Sequence, residues 1–133
     1  MTGVQTCALP ILKVSFAGPA ANLFLCFLAA FFMTFLNRFG LLSDGVYRFL
    51  LWMQLYNVWF AFFNLIPVPP LDGSKILSEL LPPSMAWKFD NLVGRYGFYI
   101  LIALVFTGIT GAIIRPLAAG YMMLVNGILG LVF

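Results

Sequence analysis

The 133 residues contain no histidine. Charge is nearly as scarce. Asp, Glu, Lys and Arg make up 8% of the chain, where a soluble domain needs about 25% to cover its surface. That shortage excludes a soluble globular domain. Disorder is excluded too, because it needs low hydrophobicity and high charge. Seven Lys/Arg against four Asp/Glu give a net charge of +3, too sparse and scattered for a nucleic-acid footprint. Of the two cysteines, Cys7 and Cys26, the second lies inside an apolar run, so a disulfide framework is not expected. What the chain does have is apolar surface: 63% hydrophobic residues and a mean hydropathy of +1.05. This is the composition of a polytopic membrane protein or a piece of one.

Met1–Pro10 has no basic region ahead of an apolar stretch, so it does not read as a signal peptide. The string TGVQTCALPI resembles translated sequencing-adapter sequence. On that reading residues 1–11 are foreign, and residues 12–133 are the C-terminal part of a longer membrane core. The alternative is a short native arm.

Ala17–Leu36 is an uncharged run long enough, at ~1.5 Å per residue, to cross a hydrocarbon core of ~30 Å. Pro19 near its start costs little there. Phe49–Ile66 is the second expected span. Gln54, Asn57 and Asn64 share one face of it, opposite Trp52, Trp59 and Phe63. The amides are expected toward protein or water and the aromatics toward lipid. Pro67, Pro69 and Pro70 then forbid a helix, which predicts an extended segment. Ser74–Leu81 reads as a short helix. Ser84 reads as the N-cap of an amphipathic interfacial helix over Met85–Arg95. Tyr96–Ile114 is the third span, broken by Arg115-Pro116. Leu117–Phe133 either spans fully or tucks in as a short or tilted segment.

The expected fold class is an all-α membrane protein: three to four transmembrane helices, a Pro-rich non-helical segment and short interfacial helices. Lys13, Lys75, Lys88 and Arg95 fall on one side, with Arg38, Arg48 and Arg115 on the other. Four cations against three vote for Pro67–Arg95 in the cytoplasm.

Asp72 is the residue to explain. One reading is structural, an Asp-Gly-Ser turn capping the helix that follows. Its surroundings say more. Asn64 to Gly73 has the form N-x-x-P-x-P-P-L-D-G. That string resembles the site-2 proteases, a family of intramembrane zinc metalloproteases. Ala17-Gly18-Pro19-Ala20-Ala21-Asn22 is similar to the family's A-G-P-x-x-N, and Arg95-Tyr96-Gly97-Phe98 is a softer match at the next span. Order and spacing agree over roughly Leu12 to Phe133, and the chain looks most like the compact bacterial type.

The resemblance implies a zinc ion held by two His of an H-E-x-x-H helix and by the Asp of the L-D-G motif, with the Glu of that helix as general base. Carried over by motif, Asp72 is the third metal ligand and Asn64 helps hold an extended substrate. Asn22 is structural, as are Gly18, Pro19, Pro67, Pro69, Pro70 and Gly73. The implied partners are membrane lipid, a transmembrane protein substrate and the missing N-terminal helices, with no nucleic acid. The implied location is a bacterial cytoplasmic membrane.

The departure is plain. The family's H-E-x-x-H precedes A-G-P-x-x-N, and this sequence has none. One carboxylate cannot hold catalytic zinc without nitrogen donors. The chain is therefore expected to be an inactive part of a zinc metalloprotease, with no zinc bound to it. The competing class is a non-catalytic membrane binding or scaffold relative. A small transporter subunit ranks last, because it gives no reason for the L-D-G string.

Overall fold

The computed structural model describes residues 2–69 and 71–133, with side chains from Pro10 onward. Pro70 and the side chain of Cys7 lie outside the described residues. Five helices follow in order: α1 Thr2–Arg38, α2 Asp44–Asn64, α3 Asp72–Leu80, α4 Pro83–Phe106 and α5 Ile109–Val132. The described secondary structure is all α, as the composition predicts. Three helices are long and apolar enough to cross a membrane: Pro10–Arg38, α4 and α5. The second expected span lies in α2, whose three amides and Arg48 hold its hydropathy below that of the others.

Local chemistry sets most boundaries. α1 closes in a Schellman motif, with Gly40 at φ +68° and bonds from Leu41 N to the Leu36 carbonyl (2.8 Å) and from Gly40 N to the Asn37 carbonyl (3.1 Å). Arg38 sits in that last turn, at the negative end of the helix dipole. Ser43 caps α2, its hydroxyl accepting from Val46 N. The short link makes α1 and α2 antiparallel neighbours.

Four expectations are corrected. Pro19 does not start a helix; it lies buried inside α1. It can donate no hydrogen bond to the Ser15 carbonyl one turn back, a loss that membrane helices tolerate. The described residues of the Pro67–Leu71 segment are turned rather than extended. Val68 N bonds the Ile66 carbonyl (2.8 Å) and Leu71 N bonds the Val68 carbonyl (3.0 Å). A fixed proline φ suits turns as well as strands. Met85–Arg95 is no separate interfacial helix but the first half of α4, which starts with Pro83 at a position where no N–H is needed and leaves Ser84 inside. The last break falls at Thr107-Gly108, where Gly108 adopts φ +77° and Thr107 Oγ1 donates to the Ala103 carbonyl (2.6 Å). Arg115-Pro116 continues inside α5.

The core joins Cys26 of α1, Val58 of α2, and Ile114 and Ala118 of α5 to Ile66, Val68 and Leu71 of the turn. The proline-rich segment is thus anchored by its own apolar residues. α5 runs in the same direction as α1. Tyr121 donates to the Leu23 carbonyl (2.6 Å), Met122 meets Cys26, and the Phe133 ring lies 5.6 Å from Phe31 and 6.4 Å from Phe35. Arg115 precedes all of these contacts. It therefore lies toward the Lys13 end of α1, not with Arg38 and Arg48 as its sequence position suggested.

The faces of α2 follow expectation only in part. Gln54 is buried, its amide against Met33 Sδ of α1 (3.6 Å), and Asn57 donates to the Met53 carbonyl of its own helix. Trp59 and Phe63 pack on the core. The exposed aromatic stripe is Trp52, Tyr56 and Phe60, stacked at 5.5 and 6.2 Å along successive turns.

Candidate functional site

The three quoted motifs meet in space. Gly18 of α1 faces the carboxylate of Asp72: a Cβ built on Gly18 would lie 3.1 Å from Asp72 Oδ2. Gly73 backs onto the carbonyls of Leu65 and Ile66, at a distance no side chain could share. Gly97 of α4 faces the ring of Pro69, where an added Cβ would lie 2.9 Å from Cδ. Each close approach uses a glycine because only a missing Cβ leaves the room.

Asp72 is the first residue of α3 and is half-buried. It makes no side-chain cap; Leu71 holds the cap position, in an extended conformation. The capping reading therefore does not account for Asp72. It still sits in the first turn, at the positive end of the helix dipole. The following turn is fixed by Ser74, which is buried and donates from Oγ to the Leu71 carbonyl (2.8 Å).

A cleft of about 610 Å³ opens beside this turn, between α1, α3 and α4. Val14, Ser15, Pro69, Ser74 and Val93 line it, with Lys75 and Glu79 among its charged groups. At its edge Ser78 Oγ donates to Asp90 Oδ2 (3.0 Å). Polar groups in such a wall would admit water to a region otherwise bounded by apolar helices.

The remaining motif residues are less closely engaged. Asn64 ends α2 and Asn22 lies one turn beyond Gly18; both are partly buried, without a side-chain hydrogen bond among the described residues. Pro67 is exposed and Pro69 partly buried. Two positions were missed in the sequence. Ser15 is 2% exposed and Ser74 7%. A signal existed for the first: Ser15, Gly18, Pro19 and Asn22 fall at helical spacing on one face. Gly97 stood in a recognised string, but nothing in the string pointed to Pro69.

The donors present do not make a zinc site. Zinc takes about three protein ligands, and its usual nitrogen donors are absent from the sequence. Among the described residues no three His, Cys, Asp or Glu side chains converge. A lone carboxylate does not select a metal.

Residues 40–107 match the model of peptidase family M50. The chain is also 36% identical over 110 residues to the "Putative zinc metalloprotease YwhC" of Bacillus subtilis (strain 168), an overlap covering 78% of this chain and 49% of that protein. The chain thus spans about half the length of the curated relative it matches. No solved structure gives a significant match. The turn that carries Asp72 lies wholly within the matched region, and the chain belongs to peptidase family M50, the site-2 zinc metalloproteases.

Proposed function

We propose that this chain is the Asp72-bearing, C-terminal part of an intramembrane zinc metalloprotease that hydrolyses peptide bonds of membrane-embedded substrates. On this reading Asp72 is one zinc ligand. The two imidazoles and the general-base Glu belong to an H-E-x-x-H helix that these 133 residues do not include. Residues 1–11 are foreign to the protein, and the missing N-terminal helices are partners of residues 12–133. The observation that carries the reading is the convergence of Gly18 on the Asp72 carboxylate, beside a cleft and behind a proline turn. A rigid turn holds a ligand in place without further ordering cost.

The other roles follow from position. Asn64, where α2 gives way to the turn, offers an amide to an extended substrate backbone. Pro67, Pro69 and Gly73 shape the turn, and Gly18, Pro19 and Asn22 form the face of α1 against it. The chain by itself binds no catalytic zinc and cleaves nothing.

The proposed location is a bacterial cytoplasmic membrane with Pro67–Arg95 on the cytoplasmic side. The direction of α5 supports this. With Arg115 moved to the motif end, the cations divide as Lys13, Lys75, Lys88, Arg95 and Arg115 against Arg38 and Arg48. Cations gather in cytoplasmic loops and helix ends.

In the full-length protein, Asp72→Ala should abolish cleavage of a membrane substrate and lower zinc content, with insertion intact. Unchanged cleavage refutes the ligand role. The lack of histidine favours a second reading, a non-catalytic binding or scaffold relative. The genomic DNA upstream of the Leu12 codon separates the two. A reading frame encoding H-E-x-x-H supports the protease, and an intact native start at Met1 supports the scaffold.

A further inference from the structure

We infer that Gly97 is a positioning residue for Asp72: a notch in α4 that seats the Pro69 ring and so fixes the turn carrying the carboxylate. The functional weight of this inference rests on the reading of Asp72 as a ligand; its geometry does not.

Gly97 is buried, and a Cβ there would lie 2.9, 3.3 and 3.5 Å from Pro69 Cδ, Cγ and Cβ. Gly94, one turn earlier on the same helix, would meet nothing within 4 Å. A glycine weakens a helix interior wherever it stands. At Gly97 that weakness is offset by a docked ring, and at Gly94 no contact requires it.

Pro69 has few ways to yield. Its ring fixes φ, and its flanks are tethered by the buried side chains of Val68 and Leu71 and by the bond from Leu71 N to the Val68 carbonyl. Relaxation toward α2 is blocked where Gly73 meets Leu65 and Ile66. Relaxation toward α1 carries Asp72 toward Gly18, where only the missing Cβ leaves room. A methyl group at position 97 therefore strains the turn, and the strain reaches the Asp72 carboxylate.

The direct test needs no protease activity. Asp72→Cys is introduced into the chain in bilayer vesicles, and alkylation of the new thiol is followed by mass spectrometry of its peptide. Adding Gly97→Ala is expected to change the alkylation rate by about threefold or more, beyond ordinary departures from additivity. Adding Gly94→Ala should leave it unchanged, and Pro69→Ala combined with Gly97→Ala should return it toward the starting rate. Equal rates with Gly97→Ala and Gly94→Ala overturn the inference. If Gly97→Ala does not fold, Pro69→Ala alone carries the test, since emptying the notch must alter the rate; no change overturns it.

The second arm uses the full-length protein with Asp72 intact. Gly97→Ala should lower kcat roughly tenfold with KM unchanged, since small misplacements near the chemistry are costly. Rescue by Pro69→Ala is expected. If alkylation shifts while kcat does not, the notch stands and the ligand reading of Asp72 falls.

Discussion

Gly73 has the least room of the described glycines. Its Cα hydrogen points at the carbonyls of Leu65 and Ile66, so Gly73→Ala forces backbone apart. The expected loss is about 1–3 kcal/mol, the usual range for overpacking, read as a lowered unfolding midpoint in detergent. Gly94→Ala has no such obstacle and should gain up to about 1 kcal/mol from helix propensity. The contrast marks what a sequence can convey. An Asp-Gly-Ser string announces a turn, and N-x-x-P-x-P-P-L-D-G announces a family. Neither string says which backbone the glycine touches, because that neighbour is set by how the chain doubles back. Ser15 illustrates the opposite case. Its helical spacing to Gly18, Pro19 and Asn22 was available in the letters, hidden only by the assumption that the helix began at Ala17.

At the scale of helices, the errors share a cause. Pro19 reads as lying near a helix start and Arg115-Pro116 as a break, yet both prolines lie inside α1 and α5. In a membrane helix the freed carbonyl can find other partners, so a single proline is weak punctuation. Gly108 is stronger, since its φ of +77° belongs to the left-handed region. Gly108→Ala should cost about 1–2 kcal/mol, measured by the same unfolding assay. The α1–α5 contact offers a second check. Tyr121→Phe removes the hydroxyl that donates to the Leu23 carbonyl and should cost about 0.5–1.5 kcal/mol. A larger loss would mean that the ring itself had moved. The amide stripe of α2 was visible in the sequence, but its use was not. Gln54 is spent against Met33, a weak sulfur partner, so Gln54→Leu should change stability by less than about 1 kcal/mol.

At the scale of the whole molecule, composition alone gave the class: an all-helical membrane protein. The relative direction of α5 was not legible, because an apolar run fits equally well up or down until its neighbours are known. Tyr121, Met122 and Phe133 settle the direction against α1, and Arg115 changes sides as a result. The proposed orientation predicts that Ser84→Cys reacts with an impermeant thiol reagent only in inside-out vesicles, and Ser43→Cys only in right-side-out ones. The reverse pattern would place the site outside the cell. For the purified chain, elemental analysis should find no stoichiometric zinc; one zinc per chain would mean that donors other than imidazole suffice.

The return of Gly73 to Leu65 and Ile66 closes over a very short stretch of sequence, whereas the seats at Gly18 and Gly97 bring in distant helices. Chains are made from the N-terminus onward, and short-range contacts form first. The bend around Asp72 can therefore set while α4 is still inside the ribosome, against an α1 already delivered to the bilayer. α4 then arrives as a latch on a finished shape. A nascent chain stalled just after Phe106, with α4 still in the exit tunnel, should already hold that bend, unlatched.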